Sequence, residues 1–216
     1  MQGDEVPDDI EVGHGLAPTL CQLTLLESLN LTRYHIAQDV ADSIVDAICS
    51  LAALTALYLA EVADEETTFW DIFAQQVSRL RQLRELCMSK NDSIGVNIGD
   101  LAEGLAQLPR LRWFRINRCE IERDGMVELA KHLPSMTSLQ ELFLKDNRLS
   151  PQGAKALAGS FKGMTQLQHL ALLKGDIGVE GQEAVLEAAA ACFGREWREV
   201  VDITEDYEDW LSLIHI

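Results

Sequence analysis

Leucines recur at a nearly constant spacing through most of the chain, in segments of the form LxxLxL. The segments start at Leu26, Leu54, Leu83, Leu111, Leu139 and Leu167. All steps between successive starts are equal, except that the step from Leu54 to Leu83 is slightly longer. Apolar residues that alternate with polar ones predict a short β-strand with one buried face. The chain is therefore expected to contain six such strands, which begin at these leucines.

A helical pattern follows the strands. The segments GDLAEGLAQLPR, GMVELAKHLPSM and GAKALAGSFKGM carry apolar residues at intervals of three and four. Strands and helices that alternate with a fixed period indicate a solenoid, because each unit can bury its apolar face only by stacking on its neighbours. We therefore predict an α/β fold with a continuous core shared by all repeats.

Three glycines mark the same period. Gly125, Gly153 and Gly181 are equally spaced, and each follows one leucine-rich segment. Glycine adopts backbone conformations that other residues avoid, so we expect these positions to let the chain turn tightly into each helix. Nearby polar residues such as Asp124 or Ser150 are the expected helix N-caps.

The segments resemble the LxxLxLxxNxL consensus of the ribonuclease-inhibitor class of leucine-rich-repeat proteins, over roughly residues 16–193. This resemblance implies a right-handed βα horseshoe, with a parallel sheet on the concave face and helices on the convex face. The stretch LAPTLCQLTLLESL at Leu16 matches LAEGLAQLPRLRWF at Leu101 position for position. The repeat domain is therefore expected to cover residues 16–194 and to begin with the helical half of an earlier repeat.

The resemblance also implies a ladder of inward-facing side chains. The eighth residues after the first leucines are Tyr34, Val62, Asn91, Cys119, Asn147 and Gly175. In this family an Asn or Cys at that place bonds to backbone groups that would otherwise be buried without partners. Asn91, Cys119 and Asn147 fit this role. We expect the first two turns and the last to be irregular, because their residues depart from the consensus.

The two ends differ from the repeats. Residues 1–15 form an acidic N-terminal segment, and we expect residues 195–210 to supply a C-terminal cap, with a strand at 200–203, and an acidic tail. The last six residues, LSLIHI at 211–216, resemble a translated adapter from sequencing libraries and are left out of the functional argument. A start in mid-repeat and an adapter-like end predict a fragment of a longer protein.

The negative charge of the chain is concentrated at its two ends, whereas the predicted concave face is mildly basic. The formal net charge is −17, but residues 1–12 and 195–216 together account for −10. On the predicted concave face the outward strand positions carry five acids and eight bases, about +3, together with Tyr58, Trp113 and Phe143. The bases are Arg33, Arg84, Lys90, Arg112, Arg115, Arg118, Lys145 and Lys174. Aromatic residues beside arginines are typical of binding hot spots.

We predict a partner-binding surface from these residues. Its members are Tyr58, Arg112, Trp113, Arg115, Arg118, Phe143 and Lys145. The expected partner is a protein of acidic or mixed charge. Solvated charges and scattered aromatics on an ordinary sheet are the alternative interpretation. Nucleic acid is disfavoured, because a chain of net charge −17 repels a phosphate backbone.

The sequence lacks the motifs of catalysis and cofactor binding. It contains no HExxH, GxSxG or GxxxxGK[ST] motif, and its five histidines form no metal-binding set with the cysteines. We therefore expect neither an enzyme nor a cofactor. Five cysteines without a CxxC pair favour a reduced, cytoplasmic setting. No apolar run is long enough to span a membrane.

The sequence also makes predictions about the exposure of one cysteine and of two aromatic residues. Cys87 is the one cysteine expected at an exposed strand position. In the helix TTFWDIFAQQVSRL, Phe73, Val77 and Leu80 are in core register, so Phe69 and Trp70 compete for the remaining space. Either one of them contacts the outer surface, or both fold over the edge of an irregular repeat.

Two functional hypotheses follow from the resemblance. Arrays of this class resemble the ligand-sensing or autoinhibitory part of NACHT-type (NLR) receptors of innate immunity. They also resemble enzyme regulators, namely ribonuclease inhibitors and Ran GTPase-activating proteins. The first hypothesis predicts a P-loop ATPase module upstream, and the second predicts a protein that changes the rate of a nuclease or GTPase.

Overall fold

The computed structural model describes residues 10–11, 15–62, 67–194 and 197–204. Within them, seven parallel strands form one sheet in the order β2-β4-β5-β6-β7-β8-β9. The strands are β2 (Ser28–Asn30), β4 (Ala56–Tyr58), β5 (Glu85–Cys87), β6 (Trp113–Arg115), β7 (Glu141–Phe143), β8 (His169–Leu173) and β9 (Val201–Thr204). A separate pair joins β1 (Ile10–Glu11) to β3 (Tyr34–His35).

Helices occupy the stretches between the strands. They are α1 (Leu16–Leu20), α2 (Gln38–Ser50), α3 (Phe69–Gln76), α4 (Ile94–Leu105), α5 (Arg123–His132), α6 (Ser150–Ser160), α7 (Lys174–Phe193) and α8 (Trp197–Val200). Each helix from α1 to α7 packs against the next helix along the chain. In the described part of the chain no helix has the length and apolarity needed to cross a membrane.

The strands pair in the register that the leucine period predicts. Leu57 pairs with Leu86, Leu86 with Phe114, and the row continues through Leu142 and Leu170. All five side chains are fully buried, where they meet the apolar faces of the helices in one core. The predicted fold class is therefore confirmed: a parallel sheet on one face, helices on the other, and a single core between them.

The expected role of the periodic glycines is wrong. Gly125, Gly153 and Gly181 lie inside helices, and none of them has a positive φ. A Cβ atom on Gly125 would lie 2.9 Å from Cγ2 of Ile98 and 3.2 Å from the carbonyl oxygen of Gly95. The period therefore reflects the close approach of successive helices, because a side chain at these positions would hold neighbouring repeats apart.

The tight turns occur instead where the chain leaves the strand in most of the repeats. The residue just before the ladder position has a left-handed backbone, with φ between 53° and 66°, in five repeats. These residues are Arg33, Glu61, Lys90, Arg118 and Asp146. A left-handed conformation costs a non-glycine residue about 1–2 kcal/mol. This repeated turn is therefore a feature that the packing of the repeats imposes on the chain.

The expected N-caps have different outcomes. Asp124 does not cap α5; it lies in the first turn, where its carboxylate accepts a hydrogen bond from Arg123 at 2.8 Å. The Oγ atom of Ser150 accepts a long hydrogen bond of 3.4 Å from the backbone N–H of Gly153. Asp124 does not cap the helix because it lies inside the first turn and its carboxylate is bonded to the neighbouring arginine.

The aromatic side chains of α3 all point inward. Phe69, Trp70 and Phe73 are fully buried, with ring centroids 4.9 to 6.0 Å apart. Neither Phe69 nor Trp70 contacts the outer surface, so the first of the two alternatives is wrong.

Beyond α7 the chain returns to the sheet. The strand β9 pairs in parallel with β8, with Leu170 opposite Val201 and Leu173 opposite Thr204. It therefore extends the sheet past the last leucine segment. Most of the acidic N-terminal segment, the acidic tail after Thr204 and the adapter-like residues 211–216 lie outside the described residues.

Candidate functional site: the concave face of the sheet

Four half-buried rings form a row across the outward face of the sheet. Tyr58, Trp113, Phe143 and His169 come from β4, β6, β7 and β8. Their ring centroids are 6.4 Å apart for Tyr58 and Trp113, 5.5 Å for Trp113 and Phe143, and 5.2 Å for Phe143 and His169. These spacings are typical of aromatic pairs in contact. We call this set the aromatic row.

The guanidinium of Arg115 packs over two rings of the row. The central carbon of its guanidinium is 4.8 Å from the ring centroid of Trp113 and 4.6 Å from that of Phe143. The residue is only 8% exposed. A guanidinium over an aromatic face is attracted by the ring quadrupole, more so when water is excluded. Arg115 was predicted as a partner-binding cation, and the structure buries most of it against these two rings.

Lys145 is not available to a partner, contrary to the prediction. Its Nζ atom lies 3.0 Å from Oδ2 of Asp202 on β9, and its side chain is 6% exposed. The sequence could not reveal this, because the acid lies 57 residues away in a strand that follows the last leucine segment. Lys145 therefore forms an internal ion pair.

Arg118 and Tyr58 also have partners within the chain. The guanidinium of Arg118 donates to Asp146 at 2.5 Å, with both side chains about two-fifths exposed. The hydroxyl of Tyr58 donates to Oε2 of Glu85 at 2.6 Å. Burial, and then this hydrogen bond, raise the pKa of Tyr58, so the phenol stays neutral. The hydrogen bond fixes the Tyr58 ring at one end of the aromatic row.

Arg112 lines a depression whose wall includes two rings of the aromatic row. This depression, of about 460 Å³, is lined by Tyr58, Arg84, Glu85, Arg112, Trp113, Gln140 and Glu141. Arg112 and Arg84 are both exposed. Arg84 was counted among the bases of the face but not among the predicted site residues. Its position one repeat before Arg112 was the signal that could have identified it.

The predicted ladder residues bond to backbone groups at the edge of the sheet. The side-chain amide of Asn91 accepts from the N–H of Val62 at 2.9 Å and donates to the carbonyls of Leu59 and Met88 at 2.8 Å. The thiol of Cys119 donates to the carbonyl of Met88 at 3.2 Å. Burial raises the pKa of this thiol, which keeps it protonated. These bonds link each repeat to the preceding one.

Asn147 makes the same type of contacts one repeat further on. Its Oδ1 atom accepts from the N–H groups of Cys119 and Ile121 at 3.0 and 3.1 Å. Its Nδ2 atom donates to the carbonyls of Ile116 and Leu144, both at 2.9 Å. One amide therefore satisfies four backbone groups in two repeats.

The ladder continues past Asn147 through a residue that the sequence reading missed. Gly175 occupies the consensus position, but the next residue, Asp176, accepts from the N–H of Asn147 at 2.9 Å. Burial raises the pKa of the Asp176 carboxyl to about 6, although the hydrogen bond from Asn147 works in the opposite direction. An acid directly after the glycine was the available signal for this shift by one position.

The likeness to solved structures is one of fold. The actin-binding site 2 of leiomodin-1 matches with a TM-score of 0.52 at 17% identity, over 59% of this chain and 76% of that one. The tropomodulin C-terminal domain of Caenorhabditis elegans matches with a TM-score of 0.47 at 16% identity, over 83% and 92%. An internalin C2 of Listeria monocytogenes gives 0.42 at 18%, over 86% and 74%. No protein-family model and no curated protein matches the sequence.

The fold is a leucine-rich-repeat solenoid. The match to leiomodin-1 agrees with this fold, and its low identity extends the likeness no further than that.

Cys87 is buried, which corrects the expectation that it is exposed. It is 1% exposed and lies in register between Tyr58 on β4 and Arg115 on β6. Its short side chain is covered because both neighbours are much longer. Burial raises the pKa of this thiol above its usual value. In the described residues no cluster of three or more His, Cys, Asp or Glu could hold a metal ion.

Proposed function

We propose that this chain is a non-catalytic protein-interaction scaffold that binds its partner on the concave face of the sheet. The observation that carries the proposal is the aromatic row, with Arg115 fixed between Trp113 and Phe143. Aromatic and arginine side chains are enriched where binding free energy concentrates. The partner would pack against the half-exposed rings of this row.

The rings of the aromatic row are held by contacts within the chain, and this favours binding. Each ring contacts a neighbour, and the Tyr58 hydroxyl is held by Glu85. Side chains that are already ordered lose little conformational entropy on association, so more of the contact energy appears as affinity. Rings that already contact one another are therefore a better anchor than long charged side chains, which lose more conformational entropy when they are ordered.

The chemistry of the face supports binding over catalysis. Its thiol, Cys87, has a raised pKa, so little of it would be the reactive thiolate at neutral pH. His169 contacts the ring of Phe143 rather than a nucleophile. The face thus offers apolar surface and fixed cations, which recognise a partner without changing its covalent structure.

The repeat pattern supports two more specific functions for this scaffold. In the first, the array is the sensing or autoinhibitory part of a cytoplasmic receptor with a NACHT domain. In the second, it regulates an enzyme, as ribonuclease inhibitors and Ran GTPase-activating proteins do. The complete reading frame separates them, because the first requires an upstream phosphate-binding loop of the form GxxxxGK[ST].

Affinity capture with matched variants tests the binding surface. Trp113→Ala combined with Arg115→Ala removes the centre of the aromatic row. Val96→Ala combined with Glu103→Ala changes two exposed residues of α4 on the helical side. We expect proteins that the native chain retains from its source cells to be retained by the α4 variant and lost by the Trp113/Arg115 variant. Equal retention by both, with circular dichroism showing both folded, would refute the concave surface.

A further inference from the structure

Arg84 and Arg112 differ from the other arginines of the structure. Both are exposed on the concave face. Neither side chain makes an ion pair, a hydrogen bond or a ring contact within the described part of the chain. We refer to these two residues as the arginine pair.

The other described arginines all have intramolecular contacts. These contacts are Arg33 with Glu61, Arg79 with Asp46, Arg81 with Gln107, Arg110 with Gln82, Arg118 with Asp146, Arg123 with Asp124, Arg148 with Glu120, Arg115 with two rings and Arg198 with Trp197. The chain has 35 acidic residues and only 18 basic ones, so a cation readily finds a carboxylate. Arg84 and Arg112 are therefore the two described arginines whose side chains have no hydrogen bond, ion pair or ring contact within the described part of the chain.

The backbone holds the arginine pair side by side. Each residue directly precedes its strand, β5 or β6. The N–H groups of Arg112 and Trp113 both donate to the carbonyl oxygen of Arg84, at 2.8 and 2.9 Å. Adjacent strands are about 4.8 Å apart, so both guanidinium groups can reach the same ligand.

An apolar surface adjoins the arginine pair. Both residues line the depression of about 460 Å³ whose wall includes the rings of Tyr58 and Trp113. The same depression contains Glu85 and Glu141. A ligand that fits must therefore combine a localised negative charge with an apolar group, and it must tolerate two carboxylates nearby.

We propose that the arginine pair binds carboxylates of an acidic segment in a protein partner, while an apolar or aromatic side chain of that segment packs on Trp113. This inference rests on the proposed function and specifies the chemistry of the partner. Guanidinium groups bind carboxylates through paired, charge-assisted hydrogen bonds, which give both affinity and orientation. The arginine pair supplies this recognition without breaking an ion pair within the described residues.

Local charge favours a short acidic segment over a phosphate polymer. Glu85 and Glu141 lie beside the arginine pair, and the whole chain carries −17. A polyanion would bring many charges against these carboxylates, whereas a short acidic segment brings only one or two carboxylates to the arginine pair. Like charges placed opposite each other suppress wrong partners.

Fluorescence anisotropy with two synthetic peptides tests the inference. The probe is a short labelled peptide with two Glu residues and one Phe between them, called the Glu/Phe peptide, and its control, the Gln/Phe peptide, has Gln in place of Glu. We expect the Glu/Phe peptide to bind at least about tenfold more tightly than the Gln/Phe peptide at low salt, because only its carboxylates can form charge-assisted hydrogen bonds with the arginine pair. Equal affinity, or no measurable binding of the Glu/Phe peptide, contradicts the inference.

Two double variants with the same change in charge locate the effect. Arg84→Gln with Arg112→Gln should weaken Glu/Phe binding about tenfold. Arg81→Gln with Arg110→Gln removes two exposed arginines outside the depression and should change it less than about twofold, through long-range electrostatics alone. An equal loss in both double variants would show a general field effect and overturn the specific site.

Two further outcomes separate this inference from the proposed function. If Trp113→Ala abolishes peptide binding and loss of the arginine pair does not, the concave surface stands and carboxylate recognition is wrong. If labelled single-stranded DNA binds more tightly than the Glu/Phe peptide and depends on the arginine pair, the ligand class is wrong.

Discussion

The ammonium group of Lys145, two residues after the end of β7, lies 3.0 Å from the carboxylate of Asp202 on β9. In the sheet, strand β8 lies between β7 and β9. Lys145 is almost fully buried, whereas Asp202 is two-fifths exposed. The pair thus connects the last strand of the sheet to the repeats.

The ion pair leads to a first prediction. Asp202→Asn removes the carboxylate and leaves a buried ammonium without its partner, so we expect it to lower the free energy of unfolding by about 1–3 kcal/mol. In a Lys145→Met background, where the ammonium is absent, the same change should cost less than about 0.5 kcal/mol. Urea denaturation of the four proteins measures the coupling, and equal costs in both backgrounds would contradict it.

The ladder leads to a second prediction. Asn147→Ala leaves four backbone groups without their partner, and we expect a loss of about 2–4 kcal/mol in the free energy of unfolding. Asn30→Ala is the matched control, because the Asn30 side chain accepts one exposed hydrogen bond from the N–H of Thr32. Urea denaturation should show a change below about 1 kcal/mol for the control. Similar losses for both variants would remove the special role of the ladder.

Asp176 leads to a third prediction, on pH dependence. Its pKa is raised from 3.8 to about 6, so the folded state binds this proton more tightly than the unfolded state. The stabilisation from the protonated form is present below about pH 4 and is lost as the pH rises through 6. An amide stays neutral, so Asp176→Asn should be the more stable protein at pH 7.

The size of this effect is modest because Asp176 is partly exposed. We expect Asp176→Asn to gain about 1 kcal/mol over the native chain at pH 7, after allowance for solvent screening. Melting temperatures of both proteins between pH 4 and 8 give the difference directly, since the other titrating groups are shared. A difference that does not change with pH would show that this carboxyl does not titrate as the structure requires.

The helix glycines lead to a fourth prediction. A Cβ at Gly125 would meet Ile98 and a backbone oxygen, so Gly125→Ala should cost about 1–3 kcal/mol through overpacking. Gly159 lies in α6 with no atom within 4 Å of an added Cβ, so Gly159→Ala should gain about 0.5–1 kcal/mol from helix propensity. Thermal unfolding of both variants checks the opposite signs. A stabilising Gly125→Ala would mean that the repeats can separate without cost.

Much of the fold follows from the period alone. The constant spacing of the leucine segments places Leu86, Phe114 and Leu142 in register and assigns the alternating side chains to two faces. For the same reason the sequence could predict that Trp113 and Phe143 share the concave face. Local pattern and pairing register are sufficient for these statements, since both depend only on position within a repeat.

The errors concern contacts that the repeat does not specify. The partner of Lys145 lies in a strand outside the leucine pattern, and the burial of Arg115 depends on the particular rings beside it. Asp176 takes the ladder role one residue away from the consensus position. These interactions depend on individual neighbours, so a consensus cannot reveal them.

The central claim is that the concave face meets a protein partner, and site-specific photocrosslinking tests it most directly. Benzophenylalanine in place of Phe143 puts the crosslinker on the aromatic row, and the same residue in place of Val96, which is 89% exposed on α4, puts it on the helical side. In extracts of the source cells we predict a discrete protein adduct from the Phe143 site and none from the Val96 site. An adduct that forms only at Val96, or equally at both sites, would contradict the account.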